Sequence, residues 1–189
     1  MKVDRHGQSK VLTPTEVTRL FTDGFQGDRD RALFGICLYT GCRINEACSL
    51  LTPDVYDLQG VRAKLTIRKG NTKGKQETRQ IPVAPDLRAY LATYQEQAGS
   101  QYLFPGRHGR GHLNPRSADA ILHEALERVG VEGASTHSFR RTALTMLSTA
   151  GVPLRVIQEI SGHRSLQALQ QYLEVSEQQV EAAISALSF

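Results

Sequence analysis

The chain has 189 residues, of which 40% are hydrophobic and 22% are charged, a composition typical of one globular domain with a substantial core. No apolar run approaches the roughly 20 residues that span a bilayer, and no apolar segment follows the polar N-terminus. These features exclude a membrane protein and predict a cytoplasmic one with no membrane partner. The formal net charge of +4 permits a polyanionic partner but does not identify one.

Three cysteines, Cys37, Cys42 and Cys48, lie close together in the sequence. Their odd number and the absence of a CxxC pair argue against a disulfide framework and a structural zinc site. We interpret them as small buried hydrophobic residues in a reducing compartment. A catalytic thiol is the alternative, although no histidine lies near them in the sequence.

The first part of the chain predicts three helices after a polar segment. Residues 1–12 lack periodicity and are expected to form a tail or the end of a linker. Thr13–Glu16 predicts a helix start, with a threonine cap, a proline at the first helical position and a glutamate at the third. Further helices are predicted over 28–40 and 43–51, and Gly41 separates them.

Beyond this point the pattern changes to strands. Residues 54–58 and 62–68 predict two strands around a Gln-Gly turn, and 78–83 predicts a third, which gives a small three-stranded antiparallel sheet. The loop at 70–75 contains glycine and lysine, as phosphate-binding loops do. It lacks the GxxxxGK[ST] spacing and leads into a strand, so we expect no nucleotide site there.

The remaining sequence is predicted to be helical. Apolar residues recur with helical spacing in windows at 87–94, 118–129, 137–150, 153–160, 165–173 and 176–187. The predicted fold class is therefore α+β and mainly α-helical, a helical bundle with one small sheet. In the last window, Val180, Ile184 and Leu187 form an apolar stripe, whose ordinary interpretation is packing on its own domain.

Basic residues concentrate in two places, and each cluster alone fits a solvated surface. The first cluster contains Arg62, Lys64, Arg68, Lys69, Lys73, Lys75 and Arg79. The second lies among glycines and contains Arg107, His108, Arg110 and His112.

Five residues in three short segments carry the strongest chemical signal. Arg43 lies at a predicted helix start, His137 and Arg140 are three residues apart on one helix, and Tyr172 follows His163 by nine positions. Arginines can hold the nonbridging oxygens of a phosphate, and a histidine can accept or donate a proton. A tyrosine can attack phosphorus once a base or a cationic environment offsets its pKa of about 10. Together these groups predict phosphodiester cleavage without metal or ATP.

Each of these residues taken alone has an ordinary structural interpretation. Tyr172 on an amphipathic helix fits a core or interface residue, and His163 after a glycine fits a surface or capping residue. Arg43 with Glu46 three residues later fits a helix ion pair. The ordered combination is what favours a catalytic site.

The order and spacing of these segments resemble the catalytic domain of the tyrosine recombinases, the phage integrase family. Tyr39–Glu46 with Leu50 is similar to the family's first arginine box, and His137–Thr142 resembles its H-x-x-R box. Ser161–His163 resembles the box of the second histidine, in which a leucine normally precedes the glycine. The resemblance covers nearly all of the chain after about residue 12.

The resemblance implies a role for each of the five residues. Tyr172 would be the nucleophile that forms a 3′-phosphotyrosine and frees a 5′-hydroxyl. Arg43 and Arg140 would clamp the scissile phosphate, while His137 would assist proton transfer and His163 would hydrogen-bond the phosphate. No cofactor is implied.

Further roles follow from the same resemblance. Glu46 would position the first arginine box. The family's catalytic lysine lies between the second and third strands, about eight residues before the proline of the last strand, which favours Lys73 with Lys69 as runner-up and Lys75 also competing. Lys69, Lys75 and Arg141 are assigned to DNA contacts.

The chain departs from the family pattern in two ways. Ser161 replaces the usual leucine, which we interpret as a packing detail. The family normally has an N-terminal DNA-gripping domain, whereas this sequence begins almost directly at the catalytic part, so it is either a fragment or a natural minimal form. The resemblance implies double-stranded DNA and further copies of the chain, in a tetramer on DNA, as partners. It also implies docking of the stripe of Val180, Ile184 and Leu187 on a neighbouring subunit, as the alternative to packing on its own domain. Two alternatives stay open: a type IB topoisomerase, which relaxes DNA without exchanging partners, and a noncatalytic DNA-binding relative.

Overall fold

The computed structural model describes residues 9–68, 70, 77–173, 175, 177–185 and 187. Over this part of the chain the α-helices are Pro14–Arg19 (α1), Asp28–Thr40 (α2), Ile44–Cys48 (α3), Pro85–Tyr94 (α4), Pro115–Val129 (α5), Thr136–Thr149 (α6), Leu154–Ser161 (α7), Leu166–Gln170 (α8) and Glu177–Ser185 (α9). The strands are Tyr56–Asp57 (β1), Gly60–Val61 (β2), Lys64–Ile67 (β3) and Arg79–Pro82 (β4). Among these helices, none is both long and apolar enough to cross a membrane.

The mainly helical α+β class is confirmed, but the sheet differs from the prediction. Instead of one three-stranded sheet, the described residues form two antiparallel pairs, β1 with β2 and β3 with β4. The strand pairing changes between Arg62 and Ala63. The Arg62 N–H donates to the Val55 carbonyl at 2.9 Å, whereas the Ala63 carbonyl accepts from the Val83 N–H at 3.0 Å. The predicted middle strand is therefore split between two neighbours.

The helix boundaries largely follow their local signals. Thr13 and Glu16 form the predicted capping box at the start of α1, with N–H to side-chain oxygen distances of 2.9 and 3.2 Å. Gly41 ends α2 in the left-handed conformation, with φ of 60°. Helix α8 is shorter than the predicted 165–173, so Tyr172 lies just past its end, where its N–H donates to the Leu169 carbonyl at 2.9 Å.

An aromatic cluster fixes α6, the helix that carries Arg140. The rings of Phe25 and Phe34 stack with centroids 4.8 Å apart, and Phe139 stacks on Phe34 at 5.1 Å. Because consecutive helical residues point about 100° apart, anchoring Phe139 in this core turns Arg140 towards a different surface of the helix. A smaller cluster of Leu144, Ile157 and Leu169 joins α6, α7 and α8.

Residues 9–12 are not the loose tail that the sequence predicts. Leu12 is buried, and its N–H donates to the Thr142 hydroxyl at 2.8 Å. The Ser9 and Ser135 hydroxyls are hydrogen-bonded at 2.8 Å. The prediction fails here because Leu12 has partners more than a hundred residues away. Residues 1–8 lie outside the described part of the chain.

The C-terminal stripe is exposed in this structure. Val180 and Ile184 lie on α9, and with Leu187 they expose more than half of their surface. Ser176, the first residue of the predicted window, is outside the described residues. In this structure the stripe therefore does not pack on the chain's own domain.

Candidate phosphate-binding active site

The first arginine box is held by a carboxylate. Arg43 is the N-cap of α3, with extended backbone, and its N–H donates to Glu46 Oε2 at 2.8 Å. The Arg43 Nη1 atom lies 3.6 Å from Glu46 Oε1, and the Glu46 side chain is almost completely buried. Glu46 therefore fixes both the backbone and the side chain of Arg43, as expected from the sequence.

Arg140 joins the two loops of the site. Its side chain is only 1% exposed; Nη1 donates to the Gly41 carbonyl, and Nη2 donates to the Ser161 carbonyl at 3.0 Å. Burial, followed by the charge of Arg43, lowers the pKa of Arg140 to about 10. The guanidinium thus stays charged at neutral pH and ties the loop before α3 to the end of α7.

His163 sits where α7 ends in a left-handed glycine, Gly162, with φ of 66°. Its ring lies close to Arg140 Nη2, 3.1 Å from Nε2, and its Nδ1 is 2.7 Å from the Ser161 hydroxyl. Burial, then the charge of Arg140, lowers the pKa of His163 to about 3. The imidazole is consequently neutral at physiological pH.

Tyr172 is brought to the same place. Its ring centroid is 4.9 Å from that of His163, and the Arg140 Cζ atom lies 5.7 Å from it, within cation–π range. The Tyr172 side chain is half-buried against the small cluster around Leu144, and its carbonyl accepts from the Thr145 hydroxyl at 3.3 Å. The structure therefore unites Arg43, Arg140, His163 and Tyr172 as the sequence predicts.

The other predicted residues have different positions. His137 lies in the first turn of α6, one turn before Arg140, with an exposed side chain. Arg141, predicted to contact DNA, is instead buried and donates to the Ser9 carbonyl of the N-terminal segment. Arg140, the preceding residue on α6, faces the phosphate site. Because consecutive side chains on a helix point in different directions, Arg141 points away from that site. The predicted lysines, Lys69, Lys73 and Lys75, lie outside the described residues.

Two residues of the site were missed or undervalued from the sequence. Arg79 on β4 is 9% exposed, and its Nη2 donates to Glu46 Oε2 at 3.3 Å. Its only sequence signal is its place in a strand pattern within a basic cluster. Ser161, interpreted as a packing difference, is fully buried and contacts His163 through its hydroxyl and Arg140 through its carbonyl.

The arginines keep unused hydrogen-bond donors. Within the described part of the chain, several buried guanidinium nitrogens have no hydrogen-bond partner, namely Arg43 Nη1, Arg79 Nε and Nη1, and Arg140 Nε. Guanidinium groups bind phosphate oxygens strongly, and buried donors without partners are costly. The arrangement is therefore able to bind an anion such as a phosphodiester next to the Tyr172 ring.

Two open clefts flank this site. One, of about 810 Å³, is lined by β4, α7, Gly162 and His163. The other, of about 590 Å³, lies beside β3 and is lined by Arg62, Lys64 and Arg68, of which Arg68 is paired with Asp54 at 2.7 Å. The second cleft gives the molecule a basic surface adjoining the strands.

Known proteins resemble this chain along most of its length. A family model described as the phage integrase family matches residues 10–179. The tyrosine recombinase XerA of Pyrococcus furiosus is 29% identical over 179 residues, which are 93% of this chain and 60% of the relative. The tyrosine recombinase XerC of Corynebacterium glutamicum is 33% identical over 163 residues, 83% of this chain and 50% of the relative. The chain thus spans about half to three fifths of these relatives' length.

Solved structures share the fold. A crystal structure of XerA recombinase superposes with a TM-score of 0.79 at 23% identity, covering 94% of this chain and 64% of the other. The XerH site-specific recombinase bound to its difH substrate gives a TM-score of 0.72 at 22% identity, covering 93% and 53%.

Proposed function

This chain belongs to the phage integrase family, and from that membership we propose that it breaks and rejoins DNA strands at specific sites through Tyr172. The observation that carries the proposal is the packing of Tyr172 against His163 and Arg140, beside guanidinium nitrogens that lack partners in the described residues. Relatives of the chain are named tyrosine recombinases, which supports the same reaction here.

The proposed reaction is a transfer of the phosphoryl group to tyrosine. Arg43 and Arg140 hold the nonbridging oxygens, and their charges stabilise the pentacoordinate transition state. The Tyr172 hydroxyl attacks phosphorus, a new P–O bond forms on the 3′ side of the strand, and the bond to the 5′-oxygen breaks. The tyrosine proton passes to His137, which is exposed in the first turn of α6. Attack by a 5′-hydroxyl reverses these steps and rejoins the strand.

His163 has a different role from His137. Because burial and Arg140 lower its pKa to about 3, it is a neutral hydrogen-bonding group and not a source of positive charge. We assign to it a hydrogen bond with the phosphate and the orientation of the Tyr172 ring, on which it packs. In this proposal His137 transfers the proton and His163 binds the phosphate.

The leaving 5′-oxygen needs a proton donor. We propose Lys73 for this role, with Lys69 and Lys75 as competitors and otherwise as DNA contacts. A substrate with a 5′-bridging sulfur distinguishes them, since thiolate leaves without protonation. That substrate should restore cleavage only to the variant that lacks the acid.

The proposed partners are double-stranded DNA and other copies of the chain, in the cytoplasm. The basic cleft beside β3 supports contact with DNA backbone, and XerH is a relative in fold that was solved bound to DNA. The exposed stripe of Val180, Ile184 and Leu187 supports docking onto a neighbouring subunit in a tetramer. We further propose that residues 13–189 form one catalytic domain.

A covalent trap tests the proposal. The protein is incubated with a pool of randomised duplexes, each nicked near its centre so that a cleaved fragment diffuses away, and adducts are separated on a denaturing gel. We expect an adduct from the wild type and none from Tyr172→Phe, which should still bind DNA. An adduct from that variant would show that another residue is the nucleophile. Relaxation of a supercoiled plasmid without recombinant products would favour the topoisomerase alternative.

A further inference from the structure

We infer that Arg79 is a positioning residue for strand cleavage, which holds Glu46, and through it Arg43, in register with His163. The inference rests on the proposed function. Arg79 is outside the set of residues predicted to be catalytic, and it lies 33 positions beyond its carboxylate partner. Its contacts nevertheless reach both loops that form the phosphate site.

The first contact is with a shared carboxylate. Glu46 Oε2 accepts from Arg79 Nη2 at 3.3 Å and from the Arg43 backbone N–H at 2.8 Å, while Oε1 lies 3.6 Å from Arg43 Nη1. Since the Glu46 side chain is only 1% exposed, water does not substitute for either arginine. A substitution of Arg79 therefore changes the electrostatic field at the Glu46 carboxylate, which orients Arg43, and the position of that carboxylate.

The second contact is with the backbone before His163. A Cβ atom added to Gly162 would lie 2.0 Å from Arg79 Nη1 and 2.7 Å from its Cζ. The guanidinium thus packs against the Cα atom of Gly162, where a side chain would displace it. Arg79 spans the distance from Glu46 to the turn that presents His163.

The position of Arg79 on β4 gives this contact a further meaning. β4 follows the segment that carries Lys69, Lys73 and Lys75, and it pairs with β3 from Ile67 opposite Arg79. A residue that anchors the start of β4 to the arginine box thereby fixes the strand next to the proposed proton donor. Arg79 therefore joins the start of β4 to the arginine box and to the turn at Gly162.

Stability alone does not account for this arrangement. Arg79 is a nearly buried cation that shares one carboxylate with Arg43, and its Nε and Nη1 have no partner among the residues described. Buried ion pairs with incomplete hydrogen bonding are no more stable than apolar side chains of similar volume. A geometric requirement of the site explains why an arginine occupies this position.

The test is single-turnover cleavage of a nicked duplex selected from the covalent trap, at saturating DNA, with wild type and Tyr172→Phe run alongside. For Arg79→Gln we expect cleavage about 100-fold slower, the cost of a misplacement of about 1 Å, with DNA affinity changed little. The matched control is Arg155→Gln. Arg155 lines the same cleft but is exposed and paired with Glu159, so its loss should leave the rate close to that of the wild type.

A double-mutant cycle separates positioning from simple stabilisation. If Arg79 acts through Glu46, the Arg79→Gln change should cost much less in a Glu46→Gln background than in the wild type. Equal costs in both backgrounds, or an Arg79→Gln rate like that of wild type, would overturn the inference and leave the proposed function intact. No adduct from wild type would instead refute the function.

A conservative variant covers the case in which Arg79→Gln does not fold. Arg79→Lys keeps the charge, but one ammonium group does not both bind Glu46 and pack against Gly162 as the planar guanidinium does. We expect its cleavage rate to fall about tenfold with normal DNA binding, the loss of about one well-placed interaction. A wild-type rate for Arg79→Lys overturns the inference.

Discussion

Gly162→Ala is the substitution whose effect the structure specifies most closely. The residue has a φ of 66°, a left-handed conformation that a side chain disfavours. The new Cβ would also lie 2.0 Å from Arg79 Nη1 and 3.1 Å from its Cδ, closer than atoms in contact come. Two separate penalties therefore act at one position, and Arg79 must move.

The two penalties can be separated by a matched glycine. The backbone term for alanine in a left-handed conformation is about 1–2 kcal/mol, and overpacking in a filled site adds about 1–3 kcal/mol. Gly130 ends α5 with nearly the same φ, 65°, but an added Cβ there would meet nothing within 4 Å. Gly130→Ala should thus lower the free energy of unfolding by the backbone term alone, and Gly162→Ala by about 2–5 kcal/mol.

Urea unfolding followed by circular dichroism measures both values. We expect Gly162→Ala to be the more destabilising, and Arg79→Gln to offset part of its cost because the smaller side chain yields space to the new methyl group. Equal losses for the two glycine variants, within about 0.5 kcal/mol, would refute the close approach of Arg79 to Gly162.

Three other predictions concern the titration of His163, the hydroxyl of Ser161, and the contribution of basic residues to DNA binding. The unfolded pKa of His163 is 6.5 and the folded one about 3, so its contribution to stability is complete above pH 6.5 and is lost as the pH falls towards 3. At pH 5 this loss lowers the free energy of unfolding by about 2 kcal/mol. Urea titrations at pH 5 and 7 should show this pH-dependent decrease in the wild type and not in a His163→Gln variant. Ser161→Ala removes the 2.7 Å partner of His163 Nδ1 and should lower the unfolding free energy by about 1–3 kcal/mol and slow cleavage; unchanged stability and rate would contradict the assigned contact. Lys64→Gln should reduce the slope of log affinity for DNA against log salt by about 0.9, whereas Arg141→Gln should leave the slope unchanged and destabilise the fold. A reduced slope for Arg141→Gln would place that residue on DNA after all.

Local sequence signals account well for the helices. The Thr13 and Glu16 capping box and the helix-ending glycine at Gly41 depend on neighbours within a few residues, and both are found as predicted. The mainly helical α+β class followed from hydrophobic periodicity along the chain, and the family resemblance followed from short ordered segments. The convergence of Arg140, His163 and Tyr172 was predicted from that resemblance and not from any local pattern.

The remaining features depend on contacts between distant parts of the chain. The Arg79–Glu46 pair joins residues 33 positions apart, and a strand pattern does not indicate which buried carboxylate an arginine will meet. Burial of Leu12 depends on Thr142, 130 positions later. Residue-type comparison also misjudged Ser161: its hydroxyl matters only because the turn at Gly162 brings the ring of His163 back to it.

The charge balance of the site links anion binding to the stability of the fold. Arg43 and Arg79 pair with the same carboxylate, Glu46, whose charge also acts on Arg140, and His163 next to them is neutral. Positive charge therefore exceeds negative charge in the site, and a bound phosphate group would supply the missing counter-charge. Under the proposed function, binding of a DNA phosphate should raise the free energy of unfolding as well as hold the bond to be cut.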